Sequence, residues 1–123
     1  MKRIIFIGLI LLGLSSCAKE NELLDEIYND PGYAIGTVNS SITVTASFSV
    51  RFNYGYTVSN SDYKGNKTLR GLGNKDDKVG HRFLVVYKQS DPAKSDINFK
   101  YRIFKEQDFL DMLEQFKNKP PKR

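Results

Sequence analysis

The sequence predicts a mainly β protein, a small curled antiparallel sheet or open barrel of about five strands covered by one amphipathic C-terminal α-helix. Three observations carry this reading. Between Ile42 and Val58, apolar residues (Ile42, Val44, Phe48, Val50, Phe52, Tyr54, Tyr56, Val58) alternate with polar ones, the period-two signature of a half-buried strand. Arg82-Phe83-Leu84-Val85-Val86-Tyr87 is apolar on both parities, as a central strand covered on both faces must be. Phe109, Met112, Leu113 and Phe116 recur at i, i+3, i+4 and i+7, the spacing of one helix face.

Met1-Lys2-Arg3 is a basic start, followed by an uncharged apolar run from Ile4 to Leu14. The run is shorter than the ~20 residues that cross a bilayer and ends in small residues, which is signal-peptide anatomy. Residues 1–16 therefore read as a leader. Residues 17–32 read as an anchor and acidic tether, with Lys19 set against Glu20, Glu22, Asp25, Glu26 and Asp30. Leu23, Leu24, Ile27 and Tyr28 fit one side of a single, loosely docked helical turn, which Asn29-Asp30-Pro31-Gly32 brings to an end.

A β-rich domain with its C-terminal helix is expected over 33–118. Tyr33–Val38 is a first strand. The alternating run Ile42–Val58 reads as one long strand, of which Ser47–Val58 alone would extend about 40 Å. Such a strand has to bend, and Gly55 is the expected bulge. Ser59-Asn60-Ser61-Asp62 is turn chemistry, with Tyr63–Lys67 as the return strand and Leu69–Lys78 as a polar loop. Arg82–Tyr87 follows, then a turn at Ser90-Asp91-Pro92 and a half-exposed strand alternating through Ile97, Phe99, Tyr101 and Ile103. The last helix places Asp108 and Asp111 early and Lys117 late, as the helix dipole prefers, and Pro120-Pro121 forbids its continuation. This helix is the expected outer cover of the Phe83–Tyr87 strand, and 119–123 is expected to be a frayed basic tail.

Length and composition fit one small domain, and a single cysteine excludes an internal disulfide framework. The net charge of +5 is concentrated after residue 30, leaving a basic body beside the acidic tether. Such a body favours anionic surfaces: lipid headgroups, acidic glycans or an acidic protein. Catalytic chemistry has little to work with. His81 is the only histidine, so no zinc-type cluster is expected, nor any other metal or cofactor. Asp76-Asp77 with His81 is the one place for acid–base work, and adjacent carboxylates on a lysine-bearing loop are ordinarily solvated. Arg51-Phe52-Asn53-Tyr54 and Lys100-Tyr101-Arg102 interleave bases with aromatics, but alternation turns the aromatics to the face opposite the bases. Nucleic acid is therefore not an expected partner.

Leu14-Ser15-Ser16-Cys17 resembles a bacterial lipobox. The resemblance implies diacylation of the Cys17 thiol (palmitate-type chains), removal of the leader before Cys17, and often acylation of the freed amine. One acyl chain binds membranes only marginally, whereas two or more anchor stably. Lys19-Glu20-Asn21-Glu22 further resembles a surface-export signal of outer-membrane lipoproteins. Phe52-x-Tyr54-x-Tyr56-x-Val58, Tyr63-Lys64-Gly65, Val79-Gly80-x-x-Phe83-x-Val85-x-Tyr87 and Asp91-Pro92 together resemble a small β-rich domain family of unknown function, found in bacterial membrane proteins and lipoproteins. That likeness implies architecture and no catalytic residue. The expectation is a lipid-anchored protein of the cell envelope, on the outer membrane, facing the periplasm or the surface. It is a binding or structural module rather than an enzyme, with the membrane and an envelope protein or glycan as partners. The alternatives are an inhibitor or immunity-type lipoprotein that captures a toxic or hydrolytic protein, and a small hydrolase using the Asp76–His81 loop.

Overall fold

A computed structural model describes residues 16–71 and 78–123. Helix α1 (Ser16–Asn29) leads into strands β1 (Pro31–Val44), β2 (Ser49–Val58), β3 (Ser61–Arg70), β4 (Arg82–Lys88) and β5 (Asp91–Ile103), and helix α2 (Glu106–Phe116) follows. The strands form one antiparallel sheet in the order β3-β2-β1-β4-β5, curled into a half-barrel.

Two cores follow from strand alternation. The inner one gathers Ala34, Val38, Phe52, Tyr54, Tyr56, Phe83, Val85 and Ile97 on the concave side. The outer one gathers Leu84 and Val86 of β4 with Ile27 of α1, flanked by Tyr28, Tyr33, Tyr101, Phe109 and Phe116. Strand β4 is thus covered on both faces, as its double apolar pattern requires. Its outer cover, however, is not α2 alone. Ile27 is 0% exposed, so the stretch expected to be a tether with one loose turn is a 14-residue helix whose last turn is seated on the sheet. Glu26 fixes that seat with ion pairs to Lys88 and Lys94, both 3.2 Å.

The long alternating run also divides. Strand β1 continues to Val44, a 3-10 turn occupies Thr45–Ser47, and β2 starts at Ser49. The bulge lies at Asn39, between Val38 and Ser40, and not at Gly55. One extra residue there inverts the facing of everything after it. Ile42 consequently pairs with Arg51 on the convex face and is 44% exposed, although it shares parity with buried Phe52. Period two persists across the turn, so two strands read as one.

Other boundaries shift modestly. Ser59 and Asn60, with φ of 51° and 67°, make a two-residue hairpin that pairs Val58 with Ser61, so β3 is longer than expected. The next turn is Gln89-Ser90, which puts Asp91 and Pro92 already in β5. The basic tail is docked rather than frayed. Pro121 is buried, Lys122 donates its N–H to Tyr101 Oη (2.9 Å), and its carbonyl accepts from Asn98 Nδ2 (2.7 Å). Arg123 pairs with Asp25 of α1, so the two ends of the described chain meet on the outer face. At the start of α2, the Asp108 carboxylate accepts the N–H groups of Phe104 and Lys105, both at 3.0 Å, satisfying donors that a helix N-terminus leaves open.

Candidate functional site

Three places in the fold bring chemistry-bearing groups together. The first is the seam where the sheet curls its edge strands, β3 and β5, toward each other. They share no backbone ladder. Side chains bridge them instead. Lys67 Nζ donates to Asp96 Oδ1 (2.9 Å) and to the Ile97 carbonyl (2.8 Å), Tyr54 Oη shares a hydrogen bond with Ser95 Oγ (2.8 Å), and Tyr56 Oη donates to the Pro92 carbonyl (2.6 Å). Tyr63, Tyr56 and Tyr87 stack in sequence behind them, with centroids 5.5 and 6.5 Å apart. Gly65 makes this possible, because a Cβ there would lie 2.5 Å from the Tyr54 ring. The concave side is therefore filled by its own side chains.

The second is the polar knot at Asp96, which ties α1 to that seam. Tyr28 Oη donates to Asp96 Oδ2 (2.7 Å), and Asn98 Nδ2 donates to Tyr28 Oη (3.1 Å). Burial, reinforced by the Asp96 carboxylate, pushes the Tyr28 phenol well above its ordinary pKa of 10.0, and burial does the same for Tyr54. Both phenols stay protonated, and Tyr28 donates its proton to Asp96. Tyrosine, lysine and carboxylate side by side suggest acid–base chemistry, yet each is committed to a partner here, and the arrangement locks the half-barrel. None of this was visible in the sequence apart from Tyr28 as a face residue of a short helix. Asp96 and Lys67 sit in strand patterns that predict exposure, and only the curl brings them together.

The third is a split in the sheet. β1 pairs with β4 over Pro31–Thr37 and with β2 over Thr37–Val44, so beyond the Thr37–Gly55 pair β1 and β2 diverge. Val38 exchanges backbone hydrogen bonds on the β4 side, through its N–H to the His81 carbonyl and its carbonyl to the Gly80 N–H. Backbone groups alternate in direction along a strand, so those of Tyr33 and Ile35 face the split, where no strand pairs with them among the described residues. The gap is a groove of about 580 Å³. Tyr33, Ile35 and Phe109 supply its apolar side, and Thr57, Asp62 and Lys64 its polar rim. Thr57 Oγ1 donates to Asp62 Oδ1 at 2.8 Å, fixing that rim.

The residues singled out from the sequence are placed as follows. Leu14 and Ser15 lie outside the described residues, as do Asp76 and Asp77, while Ser16 and Cys17 begin α1. His81 Nδ1 accepts from Arg102 Nη2 at 2.9 Å. Phe52 and Tyr54 turn inward while Arg51 stays exposed, so bases and aromatics occupy opposite faces of β2. Among the described residues, no three His, Cys, Asp or Glu side chains come close enough to hold a metal ion, and no helix is long and apolar enough to cross a membrane. Comparison with known proteins returned no matching family model, no matching curated protein and no matching solved structure.

Proposed function

We propose that this chain is a lipid-anchored envelope protein whose half-barrel is a non-catalytic binding or structural module. The observation that carries the reading is Leu14-Ser15-Ser16-Cys17 at the end of a short apolar leader. A lipidated Cys17 gives the lone thiol a role in a protein without disulfide partners, and two or more acyl chains supply stable anchorage. The side-chain-filled concave face supports a module that works through its surface. Growing cells with labelled palmitate and measuring the mass of the mature N-terminal peptide tests the anchor. Label and acyl mass on Cys17 are expected, with both lost in Cys17→Ala. A mature protein carrying an unmodified Cys17 thiol would overturn the reading.

The split between β1 and β2 favours a second reading, capture of a toxic or hydrolytic envelope protein. Backbone groups of Tyr33 and Ile35 that no strand pairs with among the described residues suit an extended segment added as a strand. Photo-crosslinking groups placed at Thr57 and Lys64 should trap one and the same protein in intact cells, and one at Gln107 should not. Unrelated adducts from Thr57 and Lys64 would count against it.

A further inference from the structure

We propose that the β1–β2 hairpin is a prong that seats in an anionic lipid surface. Strand β1 runs on beyond Val38, its last residue bonded toward β4, for six more residues, roughly 20 Å at the usual strand rise. The end of the hairpin therefore lies past the end of β4, while its inner face stays packed, with Val50 buried and Phe52 set against Phe99 of β5. Its end carries two apolar side chains in the open, Ile42 (44% exposed) and Phe48 (70%).

Phe48 is no slack loop residue. Its backbone is left-handed, at φ 49° and ψ 48°, a conformation that disfavours residues with a Cβ. It is held there by two hydrogen bonds, from its N–H to the Thr45 carbonyl (3.3 Å) and from the Gly71 N–H to its own carbonyl (2.6 Å). The result is an aromatic ring pushed into water at a position where glycine would be less strained. A strained, solvent-facing aromatic calls for a use outside the fold.

The charges say what kind of surface it meets. Arg51 lies opposite Ile42, and Arg70 lies opposite Ser49, one residue beyond Phe48. Both are exposed. From Pro31 to Ser61, which spans the whole prong, the chain has no aspartate or glutamate. Two apolar side chains flanked by two arginines match the boundary between acyl chains and anionic headgroups. The pairing recurs at the same end of the sheet, where Phe104 (69% exposed) carries the Arg102 guanidinium 4.5 Å from its ring centre. The exposed side chains stand as separate prongs rather than a continuous face. A fluid bilayer accepts such prongs without shape complementarity, which a protein partner would need.

The inference deepens the proposed anchoring: acyl chains on Cys17 would hold the protein at a bilayer, and the prong would orient it there. The chain has no tryptophan, so Phe48→Trp introduces a single fluorescent reporter at an exposed position. The full mature chain carrying it is reconstituted on phosphatidylglycerol-containing vesicles and, separately, on phosphatidylcholine vesicles. On the anionic vesicles the emission of the introduced indole should shift to the blue, and brominated acyl chains should quench it. Arg51→Gln with Arg70→Gln should shift the seated-to-free ratio toward free by about thirtyfold, taking about 1 kcal/mol per arginine near such a surface.

Emission that stays water-like and open to acrylamide on anionic vesicles overturns the proposal. So does an indole shielded in cell envelopes but not on protein-free vesicles, which would make an acidic protein the occupant. Flotation with the vesicles reports on the acyl anchor alone. A chain without acyl chains, titrated with the same vesicles, must still show the blue shift if the prong seats, so failure of the anchor and failure of the prong are told apart.

Discussion

The inner face of the half-barrel draws on strands that follow one another in the chain, whereas the outer cluster joins Ile27, Leu84, Val86 and Phe116 from widely separated segments. The inner face is closed by its own aromatics and by bonds across the seam. The outer face is covered over β4 by α1 and α2 and grooved where β1 parts from β2. The difference teaches that closure and display are separate tasks in this fold. Local alternation builds the first, and the helices decide how much is left for the second.

Breaking each face in turn tests this division. The largest effect is expected from Phe52→Ala, which empties the inner core beside Phe99 and should cost about 3–5 kcal/mol in denaturant unfolding. Ile27→Ala removes a fully buried side chain of α1 and should cost about 2–4 kcal/mol. Unlike Phe52→Ala, it should also raise amide exchange in α1 well above that in β2, because the helix detaches before the sheet opens. Lys67→Met removes the bond from Asp96 across the seam and leaves its carboxylate with the Tyr28 hydroxyl of α1. With the lysine side chain 30% exposed, the expected loss is about 1–2 kcal/mol, and equal stability in wild type and variant would mean the seam is not closed by this pair.

Alkaline titration sharpens the comparison. Tyr28 and Tyr54 have phenols raised above the ordinary 10.0, so the folded state keeps protons that the unfolded chain gives up. Their contribution is fully present below pH 10 and is lost as pH rises beyond it. Thermal melts from pH 8 to 11 should show this decline, and Tyr28→Phe should make it shallower. The smallest effect has the opposite sign. Phe48→Gly relieves left-handed strain and loses little burial, so a gain of roughly 0.5 kcal/mol is expected from urea unfolding.

What could be read from the sequence follows the same divide. Alternation through Phe52, Tyr54 and Tyr56 identifies an inner face because period two is a property of neighbouring residues. The double apolarity of Phe83–Val86 identifies a strand covered on both sides. The hairpin at Thr45–Ser47 escaped because the turn keeps the alternation in phase, and Ile42 lost its expected burial to a single extra residue at Asn39. The cover by α1 escaped because its acids suggested a solvated tether, whereas Glu26 and Asp25 are the groups that fasten it, to Lys88, Lys94 and Arg123. The seam and the split were beyond reach: both arise from the sheet's curvature, which places Lys67 beside Asp96 and parts β1 from β2, and no residue spacing encodes either.

The junction between α1 and β1 is a single residue, Asp30, and it is clamped. Its carboxylate accepts the Ser90 N–H (3.1 Å) and hydroxyl (2.8 Å), and its carbonyl accepts the Gln89 N–H (2.9 Å). A mechanical load applied to α1 that frees the helix from the sheet would therefore meet this clamp next. Tension would pass at Asp30 into the β4–β5 turn and into β1, a strand hydrogen-bonded to β4 along one half and to β2 along the other. Yielding of the sheet then means shearing ladders rather than unzipping a loose end.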